Sequence, residues 1–206
     1  NLTLVASTTY DVYVRQECTA GVLYSANSSV VAITTPCGPV AAPYFQGFEA
    51  YSTTANATWP TGNCVVANPQ NTTTAFRWDR SDAGTPSSPT GPTAPFEGGM
   101  YAFTEASSGV AGAIAELTMQ PIDVSALAVP ALTFYYHMAG PAMGTLNVQA
   151  STDGIAYTTV FTLTGPQQAA EADPWLSAFA NLSAYAGGNL YLRFQGVRGS
   201  SSEGDM

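Results

Sequence analysis

Short runs of alternating apolar and polar residues recur along most of the chain, and that period of two predicts β-strands. In the run 10–17, Tyr10, Val12 and Val14 share one phase, and Asp11, Tyr13, Arg15 and Glu17 share the other. A polar stretch over 19–28 separates it from the β-branched run 29–35, so the pair reads as a hairpin. Two strands do not make a stable domain, so this hairpin is expected to complete a domain begun upstream or to pack on its neighbour. The run 36–43 (PCGPVAAP) is a stiff Pro-rich joint. Beyond it the same alternation predicts strands over 100–105, 113–119, 132–138, 145–151, 155–163 and 189–195. Leu132, Phe134, Tyr136 and Met138 fall on one face, as do Leu146, Val148 and Ala150, and Leu190, Leu192 and Phe194. Asp153-Gly154 reads as a two-residue hairpin turn. The segment 169–185 is the one candidate for a short helix. The Pro/Ser/Thr-rich segment 84–98 reads as a long loop lying across a sheet face.

The expected class is therefore all-β, an antiparallel β-sandwich or jelly roll preceded by a partial β-hairpin. Composition sharpens this. Only 9% of the 206 residues are charged, with five Arg, no Lys and 14 acids, for a net charge of −9. That excludes a phosphate-neutralising surface, so no nucleic-acid partner is expected. It also disfavours helices, whose exposed faces draw on Lys, Glu and Arg. The most apolar stretch, 126–143, is interrupted by Pro130, His137, Gly140 and Pro141, so no membrane insertion is expected. No signal peptide is evident and Asn1 falls in mid-pattern, which reads as a mature or trimmed piece of a longer chain. Cys18, Cys37 and Cys64 lack metal-site spacing and suit an oxidising, extracellular setting. Cys37–Cys64 is the preferred disulfide, with Cys18–Cys37 the competitor. Five N-x-S/T sequons, at Asn1, Asn27, Asn56, Asn71 and Asn181, fit exposed loops.

Five segments in order carry a family resemblance: "GFEAY", "FRWDRSDAGTPSSPTGP", "GGMYAFTEASSG", "LTFYYHMAGPAMGTLNVQAS" and "LRFQGVRGSSSEGDM". Together they resemble a MAM domain, an extracellular jelly-roll adhesion module, over 44–206. The preceding segment 1–36 resembles the last two strands of a fibronectin type III domain, with 37–43 as linker. The tandem is similar to parts of large secreted bacterial surface proteins, including adhesins and multidomain hydrolases exported by the type IX system. The resemblance implies a non-catalytic adhesion or binding module whose partners are other surface proteins, glycans or neighbouring domains of the same chain. The alternatives are a carbohydrate-binding accessory module of a secreted hydrolase, and a structural spacer or filament component without ligand. The family continues past Gly-Asp with a further strand, so that strand is expected to be absent or donated by sequence beyond Met206.

The resemblance also implies one structural calcium or sodium ion where the first and last strands meet. Hard cations gather several oxygens. Glu49, in the Phe-Glu motif, and Asp205, in the Gly-Asp motif, are the first candidates, and Glu203 and Glu97 lie in loops able to add ligands. The alternative is that all four are ordinary solvated acids. Trp59 and Trp175, each beside a proline, are the candidate sugar-stacking platforms. Trp78 shares a phase with Phe76 and is assigned to the core, with Arg77 and Asp79 outward. Arg193 is expected to pair with Asp79 or Glu105, and it and Arg198 are candidate interface anchors. His137 is the single histidine, so a Ser-His-Asp or Cys-His mechanism would have to use it. No G-x-S-x-G elbow accompanies it and no acids cluster in an aromatic cleft pattern, so the chain is not expected to be an enzyme. His137 is assigned an outward place on its strand.

Overall fold

The computed structural model describes residues 4–21, 23–51, 59, 64–70 and 72–206. The chain divides into two compact units, Asn1–Gly38 and Pro39–Met206, a division that falls inside the Pro-rich joint.

In the first unit, β1 (Thr9–Val12) pairs antiparallel with β4 (Val31–Thr34), Thr9 opposite Thr34 and Val12 opposite Val31. The intervening segment is not simply a loop. It carries a second small hairpin, β2 (Glu17–Thr19) with β3 (Leu23–Tyr24). The Arg15 guanidinium lies 4.0 Å from the Tyr24 ring centre.

The second unit is a β-sandwich. Its larger layer is built from β5 (Val40–Ala41), β6 (Val66–Asn68), β9 (Ile114–Thr118), β10 (Ile122–Asp123), β12 (Thr145–Ser151), β13 (Thr158–Thr164) and β15 (Asn189–Val197). The order runs β13-β12-β15-β10-β5; β9 pairs with the C-terminal half of β15 and carries β6 on its far edge. Every pairing in this layer is antiparallel except β10 with β5. The facing layer comprises two antiparallel strand pairs, β7 (Arg77–Ser81) with β8 (Tyr101–Glu105) and β11 (Ala131–Tyr136) with β14 (Leu176–Asn181). Phe134 on β11 packs edge-on against Phe194 and Phe161, with centroids 5.3 and 5.4 Å away. Trp78 on β7 donates its indole N–H to Ala115 O on β9.

The alternation read from sequence is the alternation that builds the core. Leu146, Val148 and Ala150 are buried while Thr145, Asn147 and Gln149 face out. Leu190 and Leu192 are buried and Phe194 is half-buried. Four expectations change. The segment 169–185 holds strand β14 and a single 3-10 turn at Ser183–Tyr185, because Ala178 and Ala180 take the inward phase of a strand. The Asp153-Gly154 turn is longer than two residues: Ala150 pairs with Thr158, and the Asp153 carboxylate accepts from the amides of Ile155 and Ala156. Strand β7 is buried on both faces, so Arg77 and Asp79 lie inside and pair with each other at 3.4 Å, rather than pointing outward. His137, assigned outward, is 2% exposed.

Candidate functional site

Strand β8 organises the acids singled out in the sequence, and it separates them. At its N-terminal end the Glu49 carboxylate accepts hydrogen bonds from the amides of Gly99 (3.0 Å to each oxygen) and Met100 (3.2 Å). Gly98 beside it has φ +62°, and a Cβ there would collide with that carboxylate. Glu49 therefore pins the loop that enters β8. At the other end Asp205 is fully buried, and its Oδ1 accepts from the Ala106 amide at 2.7 Å. Met206 continues the contact: Thr104 N–H donates to Met206 O at 2.9 Å, and Met206 N–H donates to Thr104 Oγ1 at 3.2 Å. Glu49 and Asp205 thus bind opposite ends of one strand and do not share an ion site. Glu203 lies in the turn before Asp205, half-buried, and its carbonyl accepts from the Ala142 amide. Glu97 is exposed in the loop beside Glu49. Among the described residues no three acid, histidine or cysteine side chains converge as a metal cluster.

Asp205 is nonetheless chemically unusual. Burial pushes its carboxyl up to about 7, and the nearby Glu105 carboxylate adds to that; the Ala106 and Ser87 amides and the Thr85 hydroxyl oppose it. Its Oδ2 is buried without a hydrogen bond of normal geometry. Around it, Thr90 Oγ1 lies 2.9 Å from Ala139 O and 3.3 Å from Asp205 O, and Arg198 Nε donates to Ala106 O at 2.8 Å. Several oxygens thus gather around one buried carboxylate oxygen. Such a donor set suits a hard cation.

The second feature is an apolar cavity of about 510 Å³ between the layers of the second unit. It lies beside β8 and β11, each of which pairs with only one strand among the described residues, β7 and β14 respectively. Its mouth is aromatic. Phe96 and Tyr135 stack with centroids 3.6 Å apart and planes 15° apart, and they remain 42% and 50% exposed. Phe45 on the same rim is 76% exposed. Trp175 is half-buried behind them, edge-on to Tyr101, with its N–H donated to Ala94 O at 3.1 Å. It is one wall of the cluster rather than an open platform. Trp59 is not a platform either. It is 2% exposed, donates its N–H to Trp78 O at 3.1 Å and lies under the Arg80 guanidinium, 4.8 Å from its ring centre. A backbone acceptor lets the whole indole be buried.

His137 also borders the cavity, 5.7 Å from the Trp175 ring. Its Nε2 lies 3.1 Å from Asp173 O, and its Nδ1 is buried without a partner. Burial lowers its pKa, so the ring stays neutral near pH 7. Arg193 pairs with Glu116 at 2.8 Å, not with Asp79 or Glu105, because Glu116 stands on the adjacent strand β9 and the other two lie in the facing layer. Cys37 is disulfide-bonded, as is Cys64, and Cys18 is a free, exposed thiol. Among the sequons, Asn56 and Asn71 lie outside the described residues, as does Asn1.

Fold and composition define a charge-poor β-sandwich module. The family model described as "MAM domain, meprin/A5/mu" matches residues 61–206, and the chain belongs to the MAM family of extracellular adhesion modules. Thyroid hormone-induced protein B of Xenopus laevis is 31% identical over 131 residues, covering 63% of this chain and 18% of that protein. The chain thus spans about a fifth of that relative. Among solved structures, the K1 cleaved adhesin domain of Lys-gingipain from Porphyromonas gingivalis W83 aligns with 19% identity over 59% of this chain and 81% of that one, at a TM-score of 0.38. Among the described residues no helix is long and apolar enough to cross a membrane.

Proposed function

We propose that this chain is a non-catalytic adhesion module of a longer secreted, cell-surface bacterial protein, and that it meets another protein through the aromatic mouth of the second unit. The observation that carries this reading is the exposed Phe96–Tyr135 stack with Phe45 on the same rim. Large, rigid aromatic side chains left in water are the typical anchors of protein interfaces. Segment 1–36 serves in this reading as the end of a fibronectin type III-like neighbour. The test is adhesion of beads coated with the 206-residue chain, to each other and to cells. F96S together with Y135S is expected to lower adhesion severalfold while thermal stability stays close to that of the parent. Unchanged adhesion by a folded double variant overturns the aromatic mouth as the contact.

We also propose that the Asp205 pocket takes one structural calcium or sodium ion. Asp205 Oδ2 supplies a charged ligand, and neutral oxygens of the neighbouring loops complete the shell. A bound ion stabilises by RT ln(1 + [L]/Kd). Calcium or sodium is expected to raise Tm for the parent and not for D205N. A Tm that responds equally in both, or in neither, removes the ion from this pocket.

A further inference from the structure

The outward face of the larger sheet carries two straight rows of hydrogen-bonding side chains. Backbone register sets them. In one row Thr162, Asn147, Gln195, Glu116 and Asn68 stand opposite one another across β13, β12, β15, β9 and β6. In the next, Thr159, Gln149, Arg193 and Thr118 cross β13, β12, β15 and β9. Adjacent strands lie about 4.8 Å apart, so each row presents a polar group at a regular interval comparable to one sugar residue.

The rows are held rigid from within. Thr162 Oγ1 donates to Asn147 Oδ1 at 2.9 Å, Asn147 Nδ2 to Gln195 Oε1 at 3.1 Å, and Gln195 Nε2 to Glu116 Oε1 at 3.3 Å. In the second row Gln149 Nε2 donates to Thr159 Oγ1 at 3.2 Å, and Arg193 Nε donates to Gln149 Oε1 at 2.6 Å. Arg193 Nη1 ties the rows together through Glu116 at 2.8 Å. Each side-chain amide has two N–H donors, and Asn147, Gln149 and Gln195 each use one in this ladder. The second is not used by this ladder and sits on a side chain already fixed, which lowers the ordering cost of binding. Tyr157, whose ring centre is 4.2 Å from the Arg193 guanidinium, and Tyr191, next along β15, add half-buried rings at one end.

We infer that this face binds a neutral polysaccharide laid across the strands. Vicinal hydroxyls match planar amides and a carboxylate as paired donors and acceptors, and tyrosine faces accept the C–H side of a sugar ring. Charge selects among glycans. The single Arg on the rows is neutralised by Glu116, and the chain as a whole carries −9. A polyanion is repelled and an uncharged chain is not. The centre of the face is polar, unlike that of a protein interface, with the exposed Val66 and Ile114 at its β6 and β9 margins, and the face is neither the aromatic mouth nor the surface of Trp59 or Trp175.

The test is affinity electrophoresis and titration calorimetry of the whole chain against galactomannan and xyloglucan, with heparin as the polyanion. Retardation by at least one neutral polysaccharide and none by heparin is expected. N147A with Q149A, or Y157A alone, lowers affinity about tenfold, the effect of one or two lost hydrogen bonds or a lost stacking face. Q149E preserves the side-chain shape and guards against a folding artefact; it removes both N–H donors, the spare one included, and also weakens binding. Y135S leaves binding unchanged. The inference is overturned if neither neutral polysaccharide binds, if binding survives the row variants, or if Y135S abolishes it. It is equally overturned if sedimentation shows the face joining two copies of the chain without polysaccharide.

Discussion

Asp205 concentrates most of the site's chemistry in one side chain. Its folded pKa of about 7 stands above the ordinary carboxylate value of 3.8. The folded state therefore holds a proton that the unfolded chain has lost between those values. Its contribution to stability is fully present below about pH 4, declines as pH rises, and is gone above about pH 7. D205N keeps an acceptor for the Ala106 amide and removes the ionisation. In chelator it is expected to be more stable than the parent at pH 8, by an amount on the order of a few kcal/mol, and to show no such gain at pH 4. Denaturant titrations at the two pH values check this. Glu49 is the contrasting case, an exposed carboxylate satisfied by backbone amides. Its neighbour Gly98 admits no side chain: G98A is expected to cost about 1–3 kcal/mol, through positive φ and collision with the carboxylate, read as a lower Tm.

At the scale of strands, β15 is the central element, pairing with β12, β10 and β9. Gly196 lies where it passes under the facing layer, and a Cβ there would sit 2.8 Å from Thr104 Cγ2 and 3.2 Å from the Phe76 ring. G196A is expected to destabilise by about 1–3 kcal/mol through overpacking, measurable as a lower urea midpoint. Arg193 on the outer face is different. A double-mutant cycle with Glu116 is expected to give about 0–1 kcal/mol of coupling, since both side chains are partly solvated. Strand existence was legible in the sequence for β8, β9, β11, β12 and β15, because their apolar residues keep period two and their inward faces meet the opposite layer. Strand β14 escaped because its inward residues, Ala178 and Ala180, are too small to mark a face. The double burial of β7 escaped because sequence alternation assumes one wet side, whereas both faces of this strand are covered.

For the whole molecule, charge governs solution behaviour. With a calculated isoelectric point near 4.1 and a net charge of −9, the chain is expected to scatter light most strongly near pH 4 and to pass unretained through a heparin column at neutral pH. The two proposed contact surfaces lie in distinct places on the second unit. The aromatic mouth opens beside β8 and β11, and the polar rows lie on the outward side of the larger sheet. Among the candidate residues, the motif order pointed to Asp205 and Glu49 but could not show that β8 holds them apart.

The alternation of side chains determined the all-β class and the inward faces of most strands, because a period of two is a local property written residue by residue; the family was carried instead by the order of five motif segments. Which acid is dry, which tryptophan is covered and which arginine meets which carboxylate were decided by tertiary structure alone. Those properties depend on strands distant in sequence arriving side by side, as β9 does beside β15 and Asp205 does at the end of β8. The outward rows belong to both levels: Asn147, Gln149, Arg193 and Gln195 are visible in sequence as alternate positions, and only the register across the sheet sets them beside one another.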